Sequence, residues 1–296
     1  MKKLLLILLC LPVIGFGQNV NIPDVNFKAY LVGNSLINTN GDTEIQVSEA
    51  TAFNGGIICN SLNIFDLTGI EAFTALTLLD CYDNQLTSLD VTANTALNFF
   101  ICGENQLTSL DVTANTALIF FNCPYNQLTS LDVSQNTILI HLDCIGNELT
   151  SLDVNGVDSL NFLFCADNLL ECLDVSQNVF LETLECENNV LERLNTKNGN
   201  WTNLDVEAEV NSLTCVEVDN IGYAASNWSF DTFTTLSTNC NYTSPCISIS
   251  SITEQITNRN LIKTINLLGK ETKGSMHEPL FYIYDDGTVE KRIVIE

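Results

Sequence analysis

One interval governs the middle of this chain. Cys81, Cys102, Cys123, Cys144, Cys165 and Cys186 stand 21 residues apart, with Cys59 one step earlier at 22. Asn84, Asn105, Asn126, Asn147, Asn168 and Asn189 keep the same beat, and so do Asp90, Asp111, Asp132, Asp153 and Asp174. A unit this short cannot bury its own apolar face, so it must stack on its neighbours into a solenoid. Solenoids offer extended surfaces rather than enclosed pockets, which favours binding over catalysis.

The unit runs Leu76-x-x-Leu79-x-Cys81-x-x-Asn84-x-Leu86-x-x-Leu89-Asp90-Val91-x-x-Asn94, and Leu97 restarts it. Leu79 and Cys81 alternate with Leu78, Asp80 and Tyr82, the pattern of a short strand with one face inward. Asn84 falls where the chain must turn, and its amide can serve backbone groups that the bend leaves unpaired. Leu86, Leu89 and Val91 refill the core on the return side. Asp90 and Asn94 are placed to lock the second bend.

This pattern resembles the leucine-rich repeat LxxLxLxxNxL, with Cys at the third apolar position, over residues 76–195. The short unit with a cysteine column is similar to one group of bacterial internalins, and Asp66–Phe73 resembles their first repeat. The later units drift: Val157 replaces the second Asn, and Asn195 replaces Asp. The resemblance implies stacked parallel strands with little helix, a small helical N-terminal cap and a binding role.

A column of cysteines in one core does not imply disulfides. Equivalent side chains on stacked strands run parallel at about 4.8 Å, whereas a disulfide needs Cβ atoms converging to about 3.8 Å. Cys is small and apolar and suits a narrow core, so the ladder is expected as buried free thiols. Cys172 lies off the ladder and the pattern does not explain it.

Residues between the inward ones must face out. They form one column of Leu78, Phe99, Phe120, His141, Phe162 and Thr183, and a second of Asp80, Ile101, Asn122, Asp143, Phe164 and Glu185. A row of outward aromatics is not what solubility selects. Leu78, Phe99, Ile101, Phe120, His141, Phe162 and Phe164 are therefore the candidate ligand face for a protein or polysaccharide. The competing readings are that the rings stabilise the sheet along its ladder, or that the C-terminal domain folds over them.

Residues 38–49 lay onto the calcium-loop pattern, with Asn38, Asn40, Asp42 and Glu44 at the early ligand positions and Glu49 at the last. Asn38 is uncharged at the first position, and Thr43 stands where Gly normally permits the turn. Internalins use a truncated helix-loop-helix as a metal-free cap, so the resemblance implies a cap; weak calcium binding is the alternative.

The ends carry other signals. Lys2, Lys3, the apolar Leu4–Ile14 and the Gly15-Phe16-Gly17 site before Gln18 read as a secretory leader, too short to span a bilayer. Leu9 stands where lipidation of Cys10 would need a small residue. Past the ladder, Trp201, Trp228 and Phe230 can close the core. In an oxidising compartment Cys215 and Cys240 are expected to pair, with Cys246 as a competing partner, at about 3 kcal/mol for a loop of this length. The last 47 residues hold six of the chain's eleven cations. There Leu267–Glu271, Leu280–Gly287 and Lys291–Ile295 read as strands, with a tight turn at Asp286-Gly287. This tail resembles the C-terminal sorting domains of Bacteroidetes proteins exported by the type IX system, which implies that secretion machinery as a partner.

Between Gln18 and Ile249 only Lys28, Arg193 and Lys197 are cationic, against 29 Asp and Glu. That argues against nucleic acid and against anionic lipid headgroups as partners. No Ser-His-Asp set, phosphate loop or dinucleotide fingerprint is present, so no enzyme is expected. The expected organisation is a leader (1–17), helical cap (18–54), leucine-rich repeats (55–199), C-terminal cap (200–246) and small β sorting domain (250–296). The protein is expected to be secreted or displayed on the outer cell surface. It would act through non-covalent binding, or as a structural spacer or scaffold without a soluble ligand.

Overall fold

The computed structural model describes residues 18–242, Cys246 and three strands near the C-terminus. The leader therefore lies outside the described residues, as do Leu267–Glu271, the Asp286-Gly287 turn and Val294-Ile295. The chain divides into two compact units, Met1–Ile247 and Ser248–Glu296.

The first unit opens with helix α1 (Val25–Gly33), whose N-cap Asp24 accepts from the Asn26 and Phe27 amides, and helix α2 (Val47–Ala52). Phe27 and Leu31 of α1 are fully buried over the start of the solenoid core. Eight three-residue strands follow in one parallel sheet: β1 (Gly56–Ile58), β2 (Leu78–Asp80), β3 (Phe99–Ile101), β4 (Phe120–Asn122), β5 (His141–Asp143), β6 (Phe162–Phe164), β8 (Thr183–Glu185) and β10 (Asp205–Glu207). The middle residue of each points inward. Leu79, Phe100, Phe121, Leu142, Leu163, Leu184 and Val206 are all fully buried, with Phe100 and Phe121 stacked at 5.4 Å.

The two polar ladders play unequal parts. In the first, Asn105 donates through Nδ2 to the carbonyls of Cys81 (3.0 Å), Cys102 (3.1 Å) and Gly103 (3.1 Å). Its Oδ1 accepts from the Leu86 amide at 3.0 Å, so it stitches two turns together. The residue before each of these Asn takes a left-handed backbone, as at Asp83, Glu104, Tyr125, Gly146, Asp167 and Asn188. In the second, Asn94, Asn115, Asn136 and Asn178 donate to two carbonyls of the preceding turn, but their buried Oδ1 atoms have no partner.

The ladder cysteines Cys59, Cys81, Cys102, Cys123, Cys144, Cys165 and Cys186 are buried free thiols. Burial pushes Cys59 up to about 12 and the others in the same direction. A thiolate in that apolar column would lack solvation, so the thiols are unreactive in the folded chain.

Two features go beyond the periodic reading. The return side becomes a second parallel sheet late in the coil, in the order β12 (Thr235–Ser237), β11 (Cys215–Glu217), β9 (Arg193–Asn195), β7 (Cys172–Asp174). Furthermore, the coil does not stop at residue 199. β10 continues the first sheet by pairing with β8, and β11 continues the second by pairing with β9. The 21-residue count misses these turns because their steps are 22 residues, as from Thr183 to Asp205. A loop absorbs the extra residue while the strands keep register.

The end is closed by aromatic rings and a covalent link. Trp228 packs between Tyr223 and Phe230, both at 6.3 Å, and its indole N–H donates to the Leu204 carbonyl at 2.8 Å. Trp201 meets Tyr223 edge-on at 5.1 Å. Cys215 and Cys240 form a disulfide, with Cα atoms 5.9 Å apart. The second unit contains a three-stranded antiparallel sheet, β13 (Leu261–Ile265), β14 (Pro279–Tyr284) and β15 (Val289–Ile293), in sequence order.

Candidate functional site

Strand alternation puts both outward columns on the face of the eight-stranded sheet. Its register aligns Leu78, Phe99, Phe120, His141, Phe162 and Thr183 in one row, and Asp80, Ile101, Asn122, Asp143, Phe164 and Glu185 in the next. The rings touch one another. Phe99 stacks on Phe120 at 5.8 Å, and Phe120 on His141 at 4.2 Å. His141 reaches Phe162 at 6.1 Å and Phe164 at 5.2 Å, so five rings from both rows form one continuous patch. Only Phe99 is well exposed, at 42%; the other four are half-buried against their neighbours. Leu78 and Ile101 extend the patch toward the N-terminal end.

The electrostatics of the face are one-sided. None of the eight strands carries a Lys or Arg. Asn122 donates to Asp143 at 2.8 Å, yet burial still pushes the Asp143 carboxyl above its ordinary 3.8. Glu185 is raised above 4.5 by burial first, then by Glu187, Glu207, Asp143 and Asp205. Burial and the nearby carboxylates raise Glu187 as well, and its Oε2 is buried without a partner. Burial also favours the neutral form of His141. The face is thus an apolar ring patch leading into carboxylates, with no Lys or Arg on the eight strands themselves.

No family model and no curated protein matches this sequence. Solved structures do. Internalin F of Listeria monocytogenes superposes with a TM-score of 0.60 at 16% identity, over 76% of this chain and 74% of that one. Internalin C2 of the same organism gives 0.60 at 16%, over 74% of this chain and 98% of that one. The fold is a leucine-rich-repeat solenoid. The functional domain of Listeria monocytogenes internalin J, which includes a cysteine ladder, is 27% identical with a TM-score of 0.41. This chain covers 75% of its own length in that match and spans 62% of the internalin J chain.

At the N-terminal end of the solenoid, the residues of the calcium-loop pattern are engaged with the protein itself. Asn38 donates to the Val32 and Asp42 carbonyls and accepts from the Gly41 amide. Asn40 donates to Asp42 and Gln46, while Glu44 pairs with Lys28 at 2.7 Å. Glu49 accepts from the Thr39 amide and hydroxyl, the Asn40 amide and the Gln46 amide. Burial raises its carboxyl, but these donors outweigh it and leave it below 4.5. Glu49 thus contributes stability above its unfolded value, and that stability is lost as pH falls through the folded value. Glu49→Gln is expected to cost about 1–3 kcal/mol in urea denaturation, with calcium leaving the Tm of both proteins unchanged. A calcium-dependent rise in Tm that the variant lacks would favour the calcium alternative over the cap alone.

The regular Asp residues sit on the other rim of the solenoid. Asp90 Oδ1 accepts from the Thr92 amide at 2.9 Å and its hydroxyl at 2.6 Å, and Asp111 repeats this with Thr113. Those bonds hold both carboxyls below their ordinary range. They lock turns, which accounts for their spacing without chemistry.

The carboxyls of the strand face have the opposite pH dependence. Raised in the folded state, Asp143, Glu185 and Glu187 take up protons before the unfolded chain does, so they add stability as pH falls toward 4.5. His141 opposes them below 6.5. In His141→Gln, which removes that opposing group, urea midpoints are expected to rise as pH falls from about 7 toward 4.5. Asp143→Asn should gain up to about 1 kcal/mol at neutral pH, after allowance for solvent screening. A midpoint that falls steadily over this window would refute the electrostatic description of the face.

Proposed function

We propose that this chain is an exported binding protein that recognises its ligand on the strand face of the solenoid. The observation that carries this reading is the continuous ring patch Phe99–Phe120–His141–Phe162–Phe164 beside carboxylates with no cation among them. A protein segment with apolar side chains and Lys or Arg would meet both features, since cations are attracted by carboxylates and by aromatic faces. Adhesion or recognition at the cell surface follows if the tail from about residue 250 is the type IX address that its sequence resembles. The internalin-type fold accords with a binding scaffold, and non-covalent recognition is the activity we assign.

The second reading is a surface spacer without a soluble ligand. It is favoured by the mutual stacking of the rings, which covers much of their area and could serve the sheet alone.

Binding of the full chain to whole cells, a protein panel and a polysaccharide panel separates the two. The comparison is a Phe99/Phe120/Phe162/Phe164→Ser variant with an unchanged circular dichroism spectrum. A basic protein that binds the parent but not the variant is the expected result. A polysaccharide hit with the same dependence keeps the face and changes the ligand class. Equal binding by both moves the site elsewhere, and no binding by either leaves the spacer.

A further inference from the structure

Cys172 breaks the repeat in an informative way. At its place in the unit the earlier turns carry Ser88, Ser109, Ser130 and Ser151. Cys172 begins β7, Arg193 begins β9 and Cys215 begins β11, so the three stand at the same edge of the return-side sheet.

The chain comes back over that edge. Cys240 is bonded to Cys215, and its amide donates to Glu217 at 2.9 Å. The Tyr242 hydroxyl donates to the Cys215 carbonyl at 2.5 Å and accepts from the Leu194 amide at 3.4 Å. From β11 to β7 is two strand spacings, roughly 10 Å, and the six residues from Cys240 to Cys246 can span roughly 20 Å. Cys246 accordingly reaches Cys172, and the two thiols are in hydrogen-bond contact. Both are partly exposed, unlike the ladder thiols.

We propose that Cys172 and Cys246 are a second disulfide site, closed by exchange with a small-molecule or protein disulfide, which ties Cys246 to the start of β7. Cys172 is the attacking sulfur. The hydrogen bond from Cys246 draws it down to about 7, with burial opposing and Arg193 assisting, so a large share is thiolate at neutral pH. The Cys172 thiolate attacks one sulfur of the donor disulfide, and the other half departs and takes up a proton. The sulfur of Cys246 then displaces the half still attached, passing its proton to that leaving group. Two cysteine thiols are oxidised and one donor disulfide is reduced to two thiols.

The test is peptide mapping of the full chain after exposure to oxidised glutathione, alkylation and digestion without reduction. The expected product links the Cys172 and Cys246 peptides, lighter by two hydrogen atoms than the separate thiols. The ladder cysteines should take the alkylating label only after denaturation. Cys246 joined to Cys215, to Cys240 or to a second chain would overturn the proposal, as would separate labelling of Cys172 and Cys246. A second measurement needs no oxidation. In the reduced chain at neutral pH, Cys172 should alkylate at least about twofold faster than in Cys246→Ala, since one pKa unit near neutrality changes the thiolate fraction about fivefold and the lower basicity of the sulfur takes back part of that gain. Equal rates would remove the contact on which the proposal stands.

Discussion

Asn126→Leu is expected to lower the stability of the solenoid by about 2–4 kcal/mol, while Asn115→Val costs about 1 kcal/mol or less. Both side chains are buried, both belong to a ladder, and both replacements are apolar and close in size. The difference lies in what each leaves behind. Asn126 Oδ1 accepts from the Leu107 amide at 3.0 Å, and its Nδ2 donates to the carbonyls of Cys102 and Cys123 at 3.1 and 3.2 Å. Without it the carbonyls keep other donors, Asn105 for Cys102 and Asn147 for Cys123. The buried Leu107 amide keeps none among the hydrogen bonds described. An orphaned buried donor forfeits its full desolvation cost.

Asn115 differs on both counts. Its own Oδ1 is already buried without a partner. The carbonyls it serves, Val91 and Asn94, also accept from the turn amides of Asn94 and Leu97. The chain itself carries Val157 at the equivalent position in a later turn. Urea denaturation of the two variants measures the contrast, and equal losses would mean that the two ladders do the same work.

The second large effect separates two residues that are neighbours in one strand. Phe121→Ala should cost about 3–5 kcal/mol, the loss for a fully buried aromatic that leaves a cavity. Phe121 is fully buried and stacked on Phe100. Phe120→Ala should cost only about 1 kcal/mol, the scale of one aromatic pair, because its ring lies on the outer face between Phe99 and His141. The same pair of variants bears on function. If Phe120→Ala destabilises as much as Phe121→Ala, the outer rings exist for the sheet and the spacer reading prevails. If it barely unfolds the chain yet abolishes binding, the rings belong to the ligand.

Much of the solenoid was legible because identical units admit few solutions. Alternation at Leu78–Cys81 sets which residues face in, and the recurring Asn84 marks the bend in every turn. The five rings of the face could be named from alternation alone. Their mutual stacking could not, since it depends on side-chain tilt between neighbouring strands. Glu49 shows the same limit: position in a loop pattern nominated it for a metal, while four protein donors converge on its carboxylate. The Ser88–Ser151 column marks Cys172, which stands where four earlier turns carry Ser on the return side.

The sequence alone determined the repeating unit, the inward cysteine and asparagine columns, and the acidic, ring-bearing outer face, because each follows from periods of 21 and 2 that stacking must respect. Tertiary structure alone decided the rest: where the coil ends, the second sheet on its return side, the half-burial of the rings, and the meeting of Cys172 with Cys246. Each of these depends on contacts between residues far apart in the chain, at places where the period slips or stops, and there local pattern no longer specifies which partner a residue will find.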